Sequence, residues 1–268
     1  MRKYNKIRCI FAPELNYLLL YLWSSMQEWF ENWFDSPYYH LLYQHRSELE
    51  ARGFVDMLYQ YLHPQADATL LDLACGKGRH AKAFAAFPLD VTGLDLSAQS
   101  IASAKKLESD NLHFYIHDMR KVFRVNYFDI ICNLFTSFGY FASPHDHDLA
   151  AQSIYGGLKP GGHLVIDFVN QIPARKHIDD HRHETIVRDE VCFDIRRSYT
   201  EQKLLKEIRI QDGDQQFCFS ESVTSFSLTE MVKLFTQTGL KHIQTFGNYT
   251  LGGYDESLSP RMILIFQK

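Results

Sequence analysis

The chain has 268 residues, of which 46% are hydrophobic and 22% charged, a balance that is typical of a folded globular protein and excludes disordered or collagen-like chains. Its 28 Lys and Arg against 32 Asp and Glu give a formal net charge of −4, so no overall positive charge attracts nucleic acid or anionic lipid. Five scattered cysteines form no C-x-x-C pair, which fits neither a disulfide framework nor a zinc site, and we expect a cytoplasmic protein.

Residues 1–34 are interpreted as an N-terminal extension. A basic start followed by the apolar run Leu15–Trp23 imitates a secretory signal, but Pro13 and Glu14 interrupt it. The run is also shorter than the roughly 20 residues that span a bilayer. We therefore expect no membrane segment, with Met26 as a plausible alternative start. A signal or anchor remains the alternative interpretation.

Residues 35–66 carry apolar side chains mostly at three- and four-residue steps. This spacing predicts one or two amphipathic helices. Asp35-Ser36-Pro37 is a typical helix start, because proline fits the first turn of a helix.

Residues 67–170 alternate short apolar runs with helix-compatible stretches. Nearly continuous apolar strands in such an order predict an α/β fold, with a parallel sheet covered by helices on both faces. The expected strands are Thr69–Leu73, Leu89–Leu94, Leu112–Ile116, Phe128–Cys132 and His163–Phe168. The expected helices are Arg79–Phe87, Ala98–Ser109 and His145–Leu158.

After Asn170 this alternation stops. Polar and apolar residues alternate within Thr185–Phe226, and Asp212-Gly213-Asp214 between two such runs is a tight-turn signal. The pattern predicts an antiparallel hairpin or a three-stranded insertion. The expected closing elements are the helix Leu228–Thr238 and the strands Lys241–Phe246 and Met262–Phe266.

The turn between the first strand and the next helix carries the strongest functional motif. Within it, Gly76 and Gly78 allow a tight turn and a close approach of the backbone to a ligand. Asp95 follows Gly76 by nineteen residues and ends the second strand, where a carboxylate can accept hydrogen bonds from ribose hydroxyls. The spacing predicts a site for an adenosine-bearing ligand, and it also fits the dinucleotide fingerprint.

Two further acidic residues separate these two ligand classes. Asp72 lies four residues before Gly76, where its charge would repel a pyrophosphate but attract an ammonium and a sulfonium. Asp118 follows the third strand, where it can accept a hydrogen bond from an adenine amino group while Met119 packs on the ring. A cationic amino acid with ribose and adenine but no phosphate describes S-adenosylmethionine.

From about Asp35 to its C-terminus, the chain resembles the class I S-adenosylmethionine-dependent methyltransferases. The resemblance rests on the stretches Leu71–Gly78, Gly93–Ser97 and Leu158–Leu164, the last of which contains a Lys-Pro-Gly-Gly turn. It implies a doubly wound, Rossmann-like sheet of seven strands whose last strand is antiparallel, here with an antiparallel β insertion after the fifth strand.

The resemblance also implies a division of labour within a methyltransferase domain at residues 35–268. Its parts would be N-terminal cap helices at 35–66, a cofactor-binding core at 67–170, a β insertion or substrate lid at 171–226, and a closing helix and strands at 227–268. The implied cofactor-binding residues in the core are Asp72, Ala74, Gly76, Gly78, Asp95, Leu96, Asp118, Met119 and Asn133.

Within the family, the segment Asn133–Phe141 looks most like small-molecule enzymes, including nucleotide-sugar N-methyltransferases. In those enzymes an N-terminal helix with a tyrosine- and arginine-containing patch caps the cofactor. The candidates for such a cap are Tyr38, Tyr39, His40, Tyr43 and Arg46.

The segment after the fourth strand bears on the acceptor. Amino-methyltransferases of nucleic acids carry Asn/Asp-Pro-Pro-aromatic here, whereas this chain reads Asn133-Leu134-Phe135-Thr136. A base-flipping enzyme is therefore disfavoured, and we expect a small-molecule acceptor and no nucleic-acid partner. The sequence leaves the acceptor atom and a homodimer open.

No obligatory catalytic residue can be identified, because an amine acceptor needs only to arrive deprotonated. The weak candidates are His145, Tyr140 and Asn133. The run His145-Asp146-His147-Asp148 follows Ser143 and Pro144, which predicts a helix start rather than a metal site. His177, His181 and His183 are expected in a solvated charged loop, and we expect no bound metal.

Two rival functions stay open at this point. One is an NAD-dependent oxidoreductase that uses the same glycine turn, and the other is a non-catalytic module that binds S-adenosylmethionine. The insertion after Asn170 is expected to close over the acceptor, with a structural role or a dimer contact as its alternatives. Because the cofactor motifs all lie upstream, cofactor binding is expected not to need it.

Overall fold

A computed structural model describes residues 29–44 and 48–268 of the chain. Three helices come first: α1 (Trp29–Phe34), α2 (Pro37–Leu42) and α3 (Glu48–Leu62). Ser36 caps α2 by accepting a hydrogen bond from the Tyr38 backbone nitrogen, with Pro37 in the first turn, so the predicted helix start is confirmed. Trp33 is fully buried, so packed structure already begins within the segment interpreted as an extension.

The next part of the chain alternates strands and helices, as expected. Its elements are β1 (Ala68–Leu73), α4 (Arg79–Phe84), β2 (Leu89–Asp95), α5 (Ala98–Ala104), β3 (Leu112–Ile116), β4 (Phe128–Asn133), α6 (Pro144–Gly157), β5 (Leu158–Val169) and α7 (Gln171–Asp180). An antiparallel group follows: β6 (His183–Arg188), β7 (Val191–Tyr199), β8 (Lys203–Asp212) and β9 (Gln215–Thr224). The closing elements are α8 (Leu228–Thr236), β10 (Lys241–Phe246) and β11 (Arg261–Gln267).

Seven strands form the central sheet in the order β10-β11-β5-β4-β1-β2-β3. Strands β1 to β5 are parallel, and β11 runs antiparallel between β5 and β10. Apolar cores cover both faces of this sheet, with α6 and α8 on one face and α3, α4 and α5 on the other. The predicted doubly wound α/β fold with an antiparallel last strand is thereby confirmed.

Strand β5 starts earlier than the sequence predicted. The expected strand began at His163, but β5 begins at Leu158 and includes the Lys-Pro-Gly-Gly segment. The pairing with β4 shifts register between Phe128 and Ile130, and Gly161 has a φ of +81°. The glycines therefore form an irregularity inside the strand, because they tolerate a backbone conformation that other residues avoid.

The segment after β5 also differs from the expectation. Residues 171–180 form helix α7 rather than a loop, and the Asn170 side chain caps it. His177 lies on this helix, whereas His183 starts β6 and contacts Asp194 at 2.7 Å. The insertion is a four-stranded sheet in the order β6-β7-β8-β9, one strand more than the largest predicted.

A third apolar core joins this antiparallel sheet to the N-terminal helices. Trp33 and Leu42 of α1 and α2 pack against one face of the sheet. Alternate residues of a strand point to the same face, so period-two spacing supplies this surface. The sheet residues in this core are Val191, Phe193, Ile195, Ile208 and Ile210. The sheet therefore supports α1 and α2 at the carboxyl ends of the parallel strands.

No helix in residues 29–44 and 48–268 combines the length and apolar character needed to cross a membrane.

Candidate active site

A cavity of about 480 Å³ opens where β1, β2, β3 and β4 end. This volume lies in the range of small-molecule sites, and the carboxyl ends of parallel strands are where open α/β sheets bind ligands. The cavity is lined by the glycine turn after β1, by the residues that end β2 and follow β3, by the segment after β4, and by α1 and α2 with the residues that follow them.

The glycine turn has the backbone geometry that its sequence predicted. Ala74, Gly76 and Gly78 have φ values of +63°, +56° and +81°. A Cβ built on Gly78 would lie 2.6 Å from the Phe114 ring, whereas one on Gly76 meets no heavy atom within 4 Å. Gly78 is therefore needed for packing against β3, while Gly76 keeps space open at the cavity wall.

Asp95 lies at the end of β2 and lines the cavity. Its Oδ2 accepts a hydrogen bond from the Gly76 backbone nitrogen at 2.8 Å, and its Oδ1 accepts one from the Ser97 nitrogen at 2.8 Å. Burial raises the pKa of Asp95, and these backbone donors partly offset that effect. The two backbone donors therefore hold the carboxylate in one orientation in the cavity wall.

Asp72 is the most deeply buried acid of the motif. Its side chain is almost fully buried, and its Oδ2 has no hydrogen-bond partner among the described residues. Burial raises the pKa of Asp72 to about 7, against a smaller opposing effect of a hydrogen bond from Ala81. It lies behind the cavity wall, next to Leu73, rather than in the lining itself.

Asn133 is the last residue of β4 and is also absent from the cavity lining, whereas the next residue, Leu134, belongs to it. Its Nδ2 donates to the Leu73 oxygen at 2.9 Å, and its buried Oδ1 has no partner in the described part of the chain. The amide therefore braces the end of β1. Neither Asn133 nor Asp72 lines the cavity. Any effect of these two residues on a cofactor would therefore be transmitted through the glycine turn after β1.

Asp118 and Met119 both line the cavity, as the sequence predicted for an adenine site. The Asp118 carboxylate is bound by Arg120, whose Nη2 lies 2.8 Å from Oδ2 and whose Nε contacts both oxygens. Burial alone would raise the pKa of Asp118, but Arg120 outweighs it and holds that pKa below its usual range. The role of Arg120 was not predicted from the sequence, although this basic residue lies only two positions after Asp118.

The cap residues separate into two groups. Tyr39, His40 and Tyr43 line the cavity, so the structure brings these three predicted residues to it. Tyr38 points elsewhere: its hydroxyl donates to Asp212 at 2.9 Å. One helical step rotates a side chain by about 100°, which turns Tyr38 towards the antiparallel sheet. Arg46 lies outside the described residues.

His40, which lines this cavity, is an uncharged histidine. Its Nε2 is buried and has no hydrogen-bond partner in the described part of the chain. Burial and the nearby charge of Lys77 lower the pKa of His40 to about 4, against a smaller opposing effect of Asp35. The ring is therefore neutral at pH 7, with one nitrogen as a donor and the other as an acceptor.

Phe135 and Thr136 form a turn that the sequence did not predict. Both have left-handed φ values, +63° and +59°, which are uncommon outside glycine. The Phe135 nitrogen donates to Asp167 Oδ2 at 2.8 Å, and Arg261 Nη2 donates to the Thr136 hydroxyl at 2.9 Å. Arg261 Nε also donates to Asp167 Oδ1 at 2.7 Å. A buried ion pair therefore holds Phe135 in the cavity wall.

The three weak catalytic candidates are in different places. Tyr140 lines the cavity, Asn133 lies behind its wall, and His145 is exposed in the first turn of α6 and outside the lining. His147, two residues later, is the buried histidine of this run; its Nδ1 lies 3.0 Å from the Ser143 oxygen. The predicted helix start at Ser143 is confirmed, because its hydroxyl accepts from the Asp146 nitrogen.

Among the described residues, no group of three or more His, Cys, Asp or Glu side chains is arranged to hold a metal ion.

The core of the chain matches a known family. Residues 70–162 match the family model for a methyltransferase domain. A dTDP-3-amino-3,4,6-trideoxy-alpha-D-glucopyranose N,N-dimethyltransferase of Streptomyces venezuelae is 34% identical over 105 residues, which are 39% of this chain and 43% of that protein. A dTDP-3-amino-3,6-dideoxy-alpha-D-glucopyranose N,N-dimethyltransferase of Streptomyces fradiae is 31% identical over 39% of this chain and 41% of its own length. Each match spans less than half of the relative.

Solved structures resemble the whole fold. An S-adenosylmethionine-dependent methyltransferase from Clostridium acetobutylicum has a TM-score of 0.72 at 17% identity, covering 86% of this chain and 95% of that one. An amino pentose methyltransferase from Micromonospora echinaspora, solved with bound S-adenosylmethionine, has a TM-score of 0.65 at 23% identity, covering 87% and 97%. The sequence match is therefore to a methyltransferase domain over residues 70–162, and the likeness to these solved structures shows a shared fold over most of the chain.

Proposed function

We propose that this protein transfers a methyl group from S-adenosylmethionine to an amino group of a small nucleotide-sugar acceptor. The observation that carries the proposal is the fixed Asp95 carboxylate in the wall of a cavity that aromatic side chains close. The two curated relatives that act on dTDP-amino sugars support this acceptor class.

The residues around the cavity fit the proposed cofactor. Asp95 presents acceptors for ribose hydroxyls, and Asp118 with Met119 offers a surface for adenine. The buried, unpartnered oxygen of Asp72 lies behind the glycine turn, where a cationic ligand would favour the ionised carboxylate. Lys77 also lines the cavity and supplies a positive charge for a carboxylate. A dinucleotide would instead bring phosphate charge towards Asp72.

When bound, S-adenosylmethionine supplies a methyl group on a positively charged sulfur. The chain's own part is to hold the acceptor nitrogen in line with that methyl group and to exclude water. Aromatic side chains in the cavity lining suit this task, among them Phe34, Tyr39, Phe135, Tyr140 and Phe141. An amine that arrives neutral needs no further proton transfer before it reacts, so positioning is the main contribution expected of the protein.

A two-stage experiment tests this proposal. Calorimetry with S-adenosylhomocysteine, S-adenosylmethionine and NAD establishes the cofactor, and tighter binding of NAD would overturn the proposal. The protein is then incubated with radiolabelled S-adenosylmethionine and a panel of dTDP-amino sugars, with dTDP-glucose and a short RNA as controls. We expect label in an amino sugar only. Label in RNA, or equal label in dTDP-glucose, would contradict the acceptor class.

A further inference from the structure

A single carboxylate joins the antiparallel sheet to the segment that contains α1, α2 and Tyr43, which is called the cap below. Glu221, on β9, accepts hydrogen bonds from Trp33 Nε1 at 2.8 Å, from the Tyr43 hydroxyl at 2.8 Å and from Lys206 Nζ at 2.7 Å. Trp33 belongs to α1, Tyr43 directly follows α2, and Lys206 is the residue that pairs with Glu221 across β8 and β9. The carboxylate therefore has one partner on α1, one directly after α2 and one on the neighbouring strand β8.

Glu221 remains ionised in this arrangement. Burial on its own would raise the pKa of Glu221, but the charge and hydrogen bond of Lys206, with the Trp33 and Tyr43 donors, outweigh burial and lower it. Hydrogen bonds to a charged group are stronger than those between neutral groups. The network therefore fixes the cap more firmly than apolar packing in the third core would alone.

Tyr43 connects this network to the cavity. Its hydroxyl donates to Glu221 and accepts from Lys206 Nζ at 2.5 Å, so the polar end of the side chain is directed to the sheet. Tyr43 also lines the cavity, and its ring lies edge-on to Tyr39 with 5.0 Å between centroids. The part of Tyr43 available to a cofactor is therefore its ring, whose position is set by the hydroxyl contacts.

We propose that Glu221 is a positioning residue for the cofactor site and that it acts through Tyr43. The antiparallel sheet then supports cofactor binding, although it follows every cofactor motif in the sequence. This differs from the expectation that residues 171–226 would be dispensable for the cofactor. The inference rests on the proposed function, since it assumes that the cavity beside Tyr43 binds S-adenosylmethionine.

The test measures S-adenosylhomocysteine binding to Glu221→Gln, Tyr43→Phe and the double variant by calorimetry. Tyr43→Phe removes only the hydroxyl and leaves the Trp33 and Lys206 contacts to Glu221. We expect each single variant to bind about tenfold more weakly, as for loss of a hydrogen bond to a charged group. Because both act through the same ring, the double variant should bind no more weakly than Glu221→Gln alone.

Glu207→Gln is the matched control. Glu207 lies on β8 of the same sheet, and its ion-pair partner at 2.6 Å is Arg209 on the same strand. We expect this variant to bind the ligand as the wild type does. Circular dichroism confirms that each variant is folded before it is scored.

Three results would overturn the inference. The first is wild-type affinity in folded Glu221→Gln, and the second is wild-type affinity in folded Tyr43→Phe, which also decides the matter if Glu221→Gln does not fold. The third is a double variant in which the two losses multiply. A wild-type protein that binds neither S-adenosylmethionine nor S-adenosylhomocysteine would instead overturn the proposed function, so the two failures are distinguishable.

Discussion

The Asp95 carboxylate accepts a hydrogen bond from the Gly76 backbone nitrogen, nineteen residues earlier, at a distance of 2.8 Å. The contact joins the end of β2 to the glycine turn after β1, and both residues line the same cavity. Asp95 thus has two functions in the proposed site. It orders the turn in the absence of a ligand, and it presents acceptors to a ribose.

Asp95→Ala should therefore weaken S-adenosylhomocysteine binding by about 1–3 kcal/mol, the usual effect of leaving polar partners unpaired. Calorimetry measures this directly. Asp90→Ala is the control, because Asp90 lies on the same strand but outside the cavity lining. Equal affinity of Asp95→Ala and the wild type would contradict the ribose-binding role.

The two glycines of the turn should respond differently to alanine. A Cβ at Gly78 would lie 2.6 Å from Phe114, and the φ of +81° is unfavourable for alanine, so Gly78→Ala should lower the melting temperature by several degrees. Gly76 has a φ of +56°, but a Cβ there would meet open space. Gly76→Ala should therefore lower the melting temperature less than Gly78→Ala does. Its main effect should be weaker ligand binding, because the methyl group enters the cavity. Thermal denaturation and calorimetry on both variants separate these effects.

Much of this arrangement follows from local sequence signals. Apolar runs of strand length, the glycine turn and the acid at the end of β2 predicted the parallel core, since each depends on residues close in sequence. Asp167 and Arg261, by contrast, are 94 positions apart and meet only because β11 pairs with β5. No local pattern indicates such a pair.

The contact between the cap and the antiparallel sheet was likewise not predictable from local sequence patterns. The sequence indicated a tyrosine-rich helix, and Tyr39 and Tyr43 do line the cavity. The partner that fixes Tyr43 is Glu221, 178 positions later, on a sheet whose existence was predicted but not its contact with α1 and α2. Alternation marks which face of the antiparallel sheet is apolar, but it does not indicate which part of the chain covers that face, so the contact with α1 and α2 could not be predicted.

Binding of the cofactor should depend on pH through Asp72. In the unliganded protein its pKa is about 7, well above that of an exposed aspartate, so folding favours the protonated form. The stabilising contribution of Asp72 to the free energy of unfolding is therefore greatest below pH 4 and is lost as pH rises towards 7. A cationic ligand instead favours the ionised form. Affinity should therefore increase between pH 6 and about 7.5, and binding at pH 7 should release a fraction of a proton.

Calorimetry in two buffers of different ionisation enthalpy counts the released protons. Asp72→Asn is the comparison, because it keeps the size of the side chain and removes the titration. We expect its binding to be weaker at pH 7.5 and nearly independent of pH over the same interval. An unchanged pH profile in Asp72→Asn would assign the dependence to another group.

The last prediction concerns the buried pair of Asp167 and Arg261. Asp167 is 1% exposed, and breaking a buried ion pair by removing one partner typically costs about 3–5 kcal/mol. Asp167→Asn keeps the shape of the side chain but leaves the Arg261 charge uncompensated, so urea denaturation should show a loss of about that size. Asp129→Asn is the control, because its 2.7 Å pair with Lys159 is more than a third exposed and should contribute no more than about 1 kcal/mol.

The same variant also tests what the pair does for the cavity. Asp167 holds the left-handed turn at Phe135 and Thr136, whereas the hydrogen bonds that fix Asp95 come from Gly76 and Ser97 and do not involve Asp167. Below its unfolding transition, Asp167→Asn should raise the KM for the acceptor several-fold, because Phe135 loses its anchor in the cavity wall, and should leave the S-adenosylhomocysteine affinity within about twofold of wild type. A loss of cofactor affinity with an unchanged acceptor KM would place Phe135 on the cofactor side of the cavity instead.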